Sequence, residues 1–108
     1  MSYAPYSFEQ VQPTRYIFFS LGKHRIEKVA DFIPLKTKNI VNLGFGDLLP
    51  DGSVDDRVSS NNGDIRKVLS TVIHILNHFT TMHPELHVFF SGSTDEWTLA
   101  PTSNIWLF

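Results

Sequence analysis

The most regular pattern in the chain is a stripe of apolar residues at helical spacing between residues 64 and 83. Apolar side chains recur there every three or four positions and polar side chains occupy the opposite side, which predicts an amphipathic helix. Asn61 is placed to cap its start, with Asp64 three positions later as the acidic member of a capping box. Pro84 ends the helix. The stripe comprises Ile65, Val68, Leu69, Val72, Leu76 and Phe79.

Alternation of apolar and polar residues predicts short strands before and after this helix. In the first of them, Tyr16, Phe18 and Ser20 share one face and Ile17, Phe19 and Leu21 share the other, so we expect both faces to be covered for part of its length. Residues 24–35 fit either a helix or a bulged strand, and the turn signals at both ends favour the strand. Residues 1–14 are interpreted as a lead-in segment and residues 47–62 as a polar loop. The predicted strands are residues 15–21, 24–35, 39–46 and 86–90.

Together these elements predict a single α+β domain spanning residues 1–108. Its three- to four-stranded, mainly antiparallel sheet packs on the one long helix at about residues 64–83. A length of 108 residues is typical of one domain, and a hydrophobic content of 42% is enough for a core without disulfides or a structural metal.

The composition removes several function classes. The chain has no cysteine, which excludes disulfide scaffolds, thiolate zinc sites and cysteine nucleophiles. A net charge of −2 gives no electrostatic case for nucleic-acid binding. No apolar run is long enough to span a membrane, and the N-terminus lacks a secretion signal pattern, so we expect a cytoplasmic protein.

Two polar segments stand at the ends of predicted elements. One lies at the helix start, where backbone N–H groups and the helix dipole favour anions, and the other follows the strand after the helix. If the two segments lie together they form a small anion-binding notch, although capping and turn formation use the same residue types. We therefore predict a non-catalytic binding or protein-interaction module. The notch residues are Ser60, Asn61, Asn62, Asp64, Ser93 and Thr94.

An enzyme acting on a phosphate-containing substrate, such as a nuclease or nucleotide hydrolase, is the alternative. Its metal-binding or basic groups would be Asp47, directly after a predicted strand, and Asp64, at the helix start. The remaining acidic residues of this region lie in the loop, where aspartate is a common turn former.

Two histidines have the spacing of metal ligands on a helix. His74 and His78 stand four positions apart, but the sequence indicates no third ligand converging on them and contains no His-Glu-x-x-His motif. Partly buried histidines hydrogen-bonded at the edge of the core are the preferred interpretation. We predict no metal and no cofactor.

The chain ends in an apolar tail that follows Pro101. Four large apolar residues at a free terminus need cover, either from the core or from a second chain. We expect a homodimer formed through this tail. Its residues are Ile105, Trp106, Leu107 and Phe108.

Four segments of the chain resemble a family of small bacterial proteins described only as a domain of unknown function. They are residues 42–47 (Asn-Leu-Gly-Phe-Gly-Asp), residues 55–64, which include Ser-Asn-Asn-Gly-Asp, residues 67–72, and residues 88–94, which include Gly-Ser-Thr. The resemblance covers about residues 6–96 and implies an architecture rather than an activity. In that family an arginine-rich segment opening a second helix follows Gly-Ser-Thr. This chain instead turns apolar after Glu96, so it resembles a shortened or altered member.

Overall fold

The computed structural model describes residues 4–55, 62–90 and 105–107. Its elements are β1 (Phe8–Gln12), β2 (Arg15–Leu21), β3 (Arg25–Pro34), β4 (Ile40–Leu48), β5 (Val54–Asp55), α1 (Ile65–Met82), β6 (His87–Phe90) and β7 (Ile105–Leu107). No helix within these ranges is both long and apolar enough to cross a membrane.

The strands form one mixed sheet with the order β1-β2-β3-β4-β6-β7, and β5 pairs with the end of β4. The strands from β1 to β5 pair in antiparallel fashion, whereas β6 lies parallel to β4 and β7 parallel to β6. The parallel pair is possible because α1 makes the crossover between β4 and β6. The α+β class and the mainly antiparallel pairing are confirmed.

The prediction of three or four strands is wrong, because the described residues form seven. The extra strands are β1 in the expected lead-in segment, β5 in the expected loop and β7 in the tail. β1 is an edge strand that is exposed after its first residue, and its register shifts between Gln10 and Gln12. Such a strand does not need to alternate apolar and polar residues, so its sequence carries no strand signal.

The core lies between α1 and one face of the sheet. Tyr16 and Phe18 of β2 belong to this core, and each is at most 2% exposed. The rings of Phe32 in β3 and Phe79 in α1 stack with centroids 3.8 Å apart and join the two layers. Ile65 was assigned to the buried stripe but is 51% exposed, because it occupies the first helical position.

The start of α1 differs from the predicted capping box. The helix begins at Ile65, and Asp64 itself takes the N-cap position without a side-chain capping hydrogen bond. Asn61 lies outside the described residues. The Asp64 carboxylate binds hydroxyl groups of the sheet layer instead, as described below.

Candidate functional site

Most buried polar side chains of the described residues lie at one end of the sheet, beside the start of α1. Ser20 follows Phe18 on the inner face of β2, and Phe18 pairs with Lys28 of β3, which pairs with Asp47 of β4. The sheet register therefore places these polar groups side by side under the segment that leads into the helix. We call this group the polar cluster; its members are Ser20, Lys28, Asp47, Asn62 and Asp64.

Asn62 holds the turn between β2 and β3 against the start of the helix. Its Nδ2 donates to the Ser20 hydroxyl and to the His24 carbonyl oxygen, each at 2.8 Å, and its Oδ1 accepts from the His24 N–H at 2.7 Å. Its carbonyl oxygen accepts from the Lys23 N–H at 2.8 Å. A Cβ on Gly22 would lie 1.9 Å from that oxygen, so only glycine permits this approach. Asn62 is 2% exposed, and its amide is engaged within the chain.

Asp64 connects the start of α1 to β2 and to the segment before β1 through hydrogen bonds. Its Oδ2 accepts hydrogen bonds from the hydroxyls of Tyr6, at 2.6 Å, and Ser20. The Tyr6 hydroxyl in turn accepts a hydrogen bond from the Leu21 N–H. The backbone N–H of Tyr6 donates to the Thr71 hydroxyl on the helix. Burial, followed by the hydrogen bond to Asp64, raises the pKa of Tyr6. The segment before β1 is thus fastened across the start of α1.

Lys28 and Asp47 form an ion pair in the sheet layer. The Lys28 ammonium contacts Oδ1 of Asp47, and the two side chains are 3% and 12% exposed. The ammonium also lies 5.9 Å from the centre of the Phe45 ring. Sequence reasoning singled out Asp47 but missed Lys28, whose signal was available: a lysine occupies an inward position of the alternating segment, between Ile26 and Ala30.

The structure describes only some of the candidate site residues selected from the sequence. Asn62 and Asp64 of the notch lie together, and both are engaged within the chain. The other notch residues lie outside the described residues, so the notch stays a prediction. They are Ser60, Asn61, Ser93 and Thr94. The carboxylates of the enzyme alternative both belong to the polar cluster but have different partners: Asp47 contacts Lys28, and Asp64 accepts from the hydroxyls of Tyr6 and Ser20.

His74 and His78 have different partners and are both exposed rather than partly buried. His74 Nδ1 lies 2.8 Å from the Ser70 carbonyl oxygen, and His78 Nδ1 lies 2.9 Å from the Tyr16 hydroxyl. Within the described ranges, no three His, Asp or Glu side chains are grouped so that they could hold one metal ion.

A groove lies at the opposite end of the helix, between its last turn and the turn that joins β3 to β4. This groove has a cavity volume of about 220 Å³. Its floor is apolar, and the imidazole of His83 packs against Phe79 with ring centroids 4.7 Å apart. The facing turn is closed by the Leu35 N–H, which donates to the Ile40 carbonyl oxygen at 3.0 Å. Residues that line the groove include Pro34, Lys38, Val41, Phe79, His83 and Leu86.

The turn beside the groove depends on a residue that tolerates a left-handed backbone. Asn39 has φ of 66°, a conformation that asparagine adopts more readily than most residues. Its carbonyl oxygen accepts from the His87 N–H at 2.8 Å, which holds the turn against β6. The sequence predicted no groove here, because its walls come from three separate segments of the chain, at residues 13–14, 34–41 and 79–86.

Comparison with known proteins places the chain in a family without a known activity. Neither the curated proteins nor the solved structures contain a match to it. A family model matches residues 2–100, which is most of the chain. The resemblance seen in the sequence is thereby confirmed at the level of a domain of unknown function. The chain belongs to the family of unknown function DUF6934.

Proposed function

We propose that this protein is a non-catalytic binding module whose ligand site is the groove at the C-terminal end of α1. The observation that carries the proposal is the cavity itself. Binding sites for small molecules are concave and mostly apolar, with a few polar groups at the edge. The groove has this character, since Phe79 and Val41 lie at its floor while Lys38 and His83 also line it.

The size of the cavity indicates the size of the ligand. A cavity of about 150 Å³ accommodates benzene in a protein core. The groove, at about 220 Å³, therefore has room for one aromatic ring with a small substituent. A ligand of about nine non-hydrogen atoms in a half-open site is expected to bind with roughly −4 kcal/mol, which corresponds to a Kd of about 1 mM.

Engagement of the two candidate carboxylates supports a binding role over phosphate chemistry. A metal-dependent hydrolase needs carboxylates that face a common metal ion. Asp47 is paired with a buried ammonium, and Asp64 accepts from two hydroxyls that hold the fold together. Calorimetry with Mg²⁺ and Mn²⁺ tests this point, and uptake that is lost in both Asp47→Asn and Asp64→Asn would favour the enzyme alternative.

Nuclear magnetic resonance titration with benzyl alcohol tests the groove. We expect chemical shift changes concentrated at Phe79, His83 and Leu86, with a dissociation constant in the millimolar range. Thr37→Trp adds a large side chain to the groove wall and should abolish these changes, whereas Thr81→Trp, on the exposed side of the helix, should not. Shift changes spread over the whole surface, unaffected by Thr37→Trp, would refute the proposal.

The homodimer remains a proposal of its own. Part of the apolar tail forms β7, which pairs in parallel with β6 of the same chain and lies at the end of the strand order. An edge strand is a natural site for pairing with a second copy. Sedimentation equilibrium should show a dimer that a chain ending at residue 104 does not form. A stable monomer at high micromolar concentration would contradict the proposal.

The anion-binding notch and the cytoplasmic location also remain proposals. A titration with inorganic phosphate tests the notch, with shift changes expected at Asn62 and Asp64 that are lost in Ser93→Ala. Fractionation of cells that express the full chain tests the location.

A further inference from the structure

The ionisable side chains that line the groove within the described ranges are all basic. Lys38 and His83 line it, and none of its lining residues within the described ranges is an aspartate or glutamate. Glu85 is near in sequence to His83, but it is exposed and does not line the groove. A ligand with a negative group would therefore meet a lysine ammonium without a competing carboxylate in the cavity wall.

The end of the helix opposes this charge only in part. Helix α1 ends at Met82, and the carbonyl groups of its last turn are equivalent to about half a unit of negative charge. Two local hydrogen bonds reduce that effect further, because the Phe79 carbonyl oxygen accepts from the His83 N–H and the His83 carbonyl oxygen accepts from the Leu86 N–H. The full positive charge of Lys38 exceeds what remains.

The apolar floor limits how the negative group is carried. Phe79 and Val41 are almost fully buried at the base of the groove, so the apolar surface that a ligand can reach belongs to Leu35, which is 45% exposed, and to the half-buried Ile40 and Leu86. A free inorganic anion would leave these surfaces uncovered. A molecule that places an apolar ring on the floor and its charge at the lysine satisfies both parts of the wall.

We infer that the groove takes a small aromatic or branched aliphatic monocarboxylate, with its apolar group against Ile40 and Leu86 and its carboxylate toward Lys38. This inference rests on the proposed binding function and adds the chemical class of the ligand. Exposed charge pairs contribute modestly, so the carboxylate should improve affinity by about two- to fivefold over a neutral molecule of the same shape.

Three one-ring compounds of similar size separate the possibilities: benzoate, benzyl alcohol and benzylamine. In shift titrations at low salt, benzoate should bind most tightly and benzylamine least. Lys38→Gln should remove the preference for benzoate over benzyl alcohol. Lys36→Gln is the matched control, because Lys36 is an exposed lysine of the same turn that does not line the groove. High salt should weaken benzoate binding alone.

The outcomes distinguish this inference from the function on which it rests. If benzyl alcohol binds the groove as tightly as benzoate, the carboxylate assignment is overturned and the binding function stands. Tightest binding by benzylamine would show that the helix end dominates, which also overturns the assignment. If none of the three compounds shifts Phe79, His83 or Leu86, the proposed function itself fails.

Discussion

Replacing Asn62 with alanine should strongly destabilise the protein although Asn62 is not part of the apolar core. The substitution removes three side-chain hydrogen bonds. The two to His24 lie at an exposed turn residue, whose backbone groups water can satisfy. The bond to Ser20 is different, since Ser20 is 0% exposed and its hydroxyl would lose a buried donor.

The magnitude follows from this division. A hydrogen bond contributes about 0.5–1.5 kcal/mol net, and the buried bond to Ser20 lies at the upper end of this range although the Ser20 hydroxyl still donates to Asp64. We expect Asn62→Ala to lower the free energy of unfolding by about 2–3 kcal/mol. For a domain of this size the melting temperature should fall by about 10 °C. In urea denaturation the midpoint should shift by about 1–2 M without a change in slope.

Asn77→Ala is the matched control, because Asn77 is exposed on the helix and alanine is a better helix former. Its stability should be unchanged or slightly raised. Asn62→Asp sharpens the test, because it keeps the acceptor but loses the donor and adds a second carboxylate beside Asp64. A loss below about 0.5 kcal/mol in Asn62→Ala would refute the network described for the polar cluster.

Three further predictions address the sheet and the segment before it. Lys28→Met should cost about 3–5 kcal/mol, because it removes the ammonium that contacts the buried Asp47 carboxylate, and adding Asp47→Leu should recover part of this loss; additive losses in a double-mutant cycle in urea would contradict the pairing. Gly46→Ala should destabilise by about 1–3 kcal/mol, because its Cβ would lie 2.6 Å from a backbone oxygen of β5, whereas Gly44→Ala, with no atom closer than 3.8 Å, should be tolerated in thermal denaturation. Tyr6→Phe should cost about 1 kcal/mol at neutral pH. The pKa of Tyr6 is raised above 10.0 in the folded state, so the stability that its hydroxyl contributes is complete below that pH and is lost as the pH rises through the folded pKa. Urea midpoints between about pH 9 and pH 11 should therefore fall less in Tyr6→Phe than in the parent.

The local sequence pattern predicted some residues of the candidate sites but not their contacts. Asp47, Asn62 and Asp64 were selected from the sequence, but their partners were not. The partners of Asp64 come from Tyr6 and Ser20, 58 and 44 positions away in the chain. Sequence spacing within one element carries no information about such pairs. The packing of the start of α1 against the sheet creates them.

Those parts of the fold that depend on periodicity within one element could be predicted from the sequence. The stripe between residues 64 and 83 predicted α1 to within one residue at each end, and alternation predicted the bounds of β2. Burial of one face of a helix or strand requires apolar residues at a fixed period, so the period can be observed in the sequence of that element alone.

The additional strands and the groove could be seen only in the tertiary structure. The strands β1, β5 and β7 exist because neighbouring strands offer them backbone partners, not because their own residues alternate. The groove likewise appears only when the last turn of α1 meets the turn between β3 and β4. Both depend on contacts between distant segments, whose free energy is absent from any single stretch of sequence.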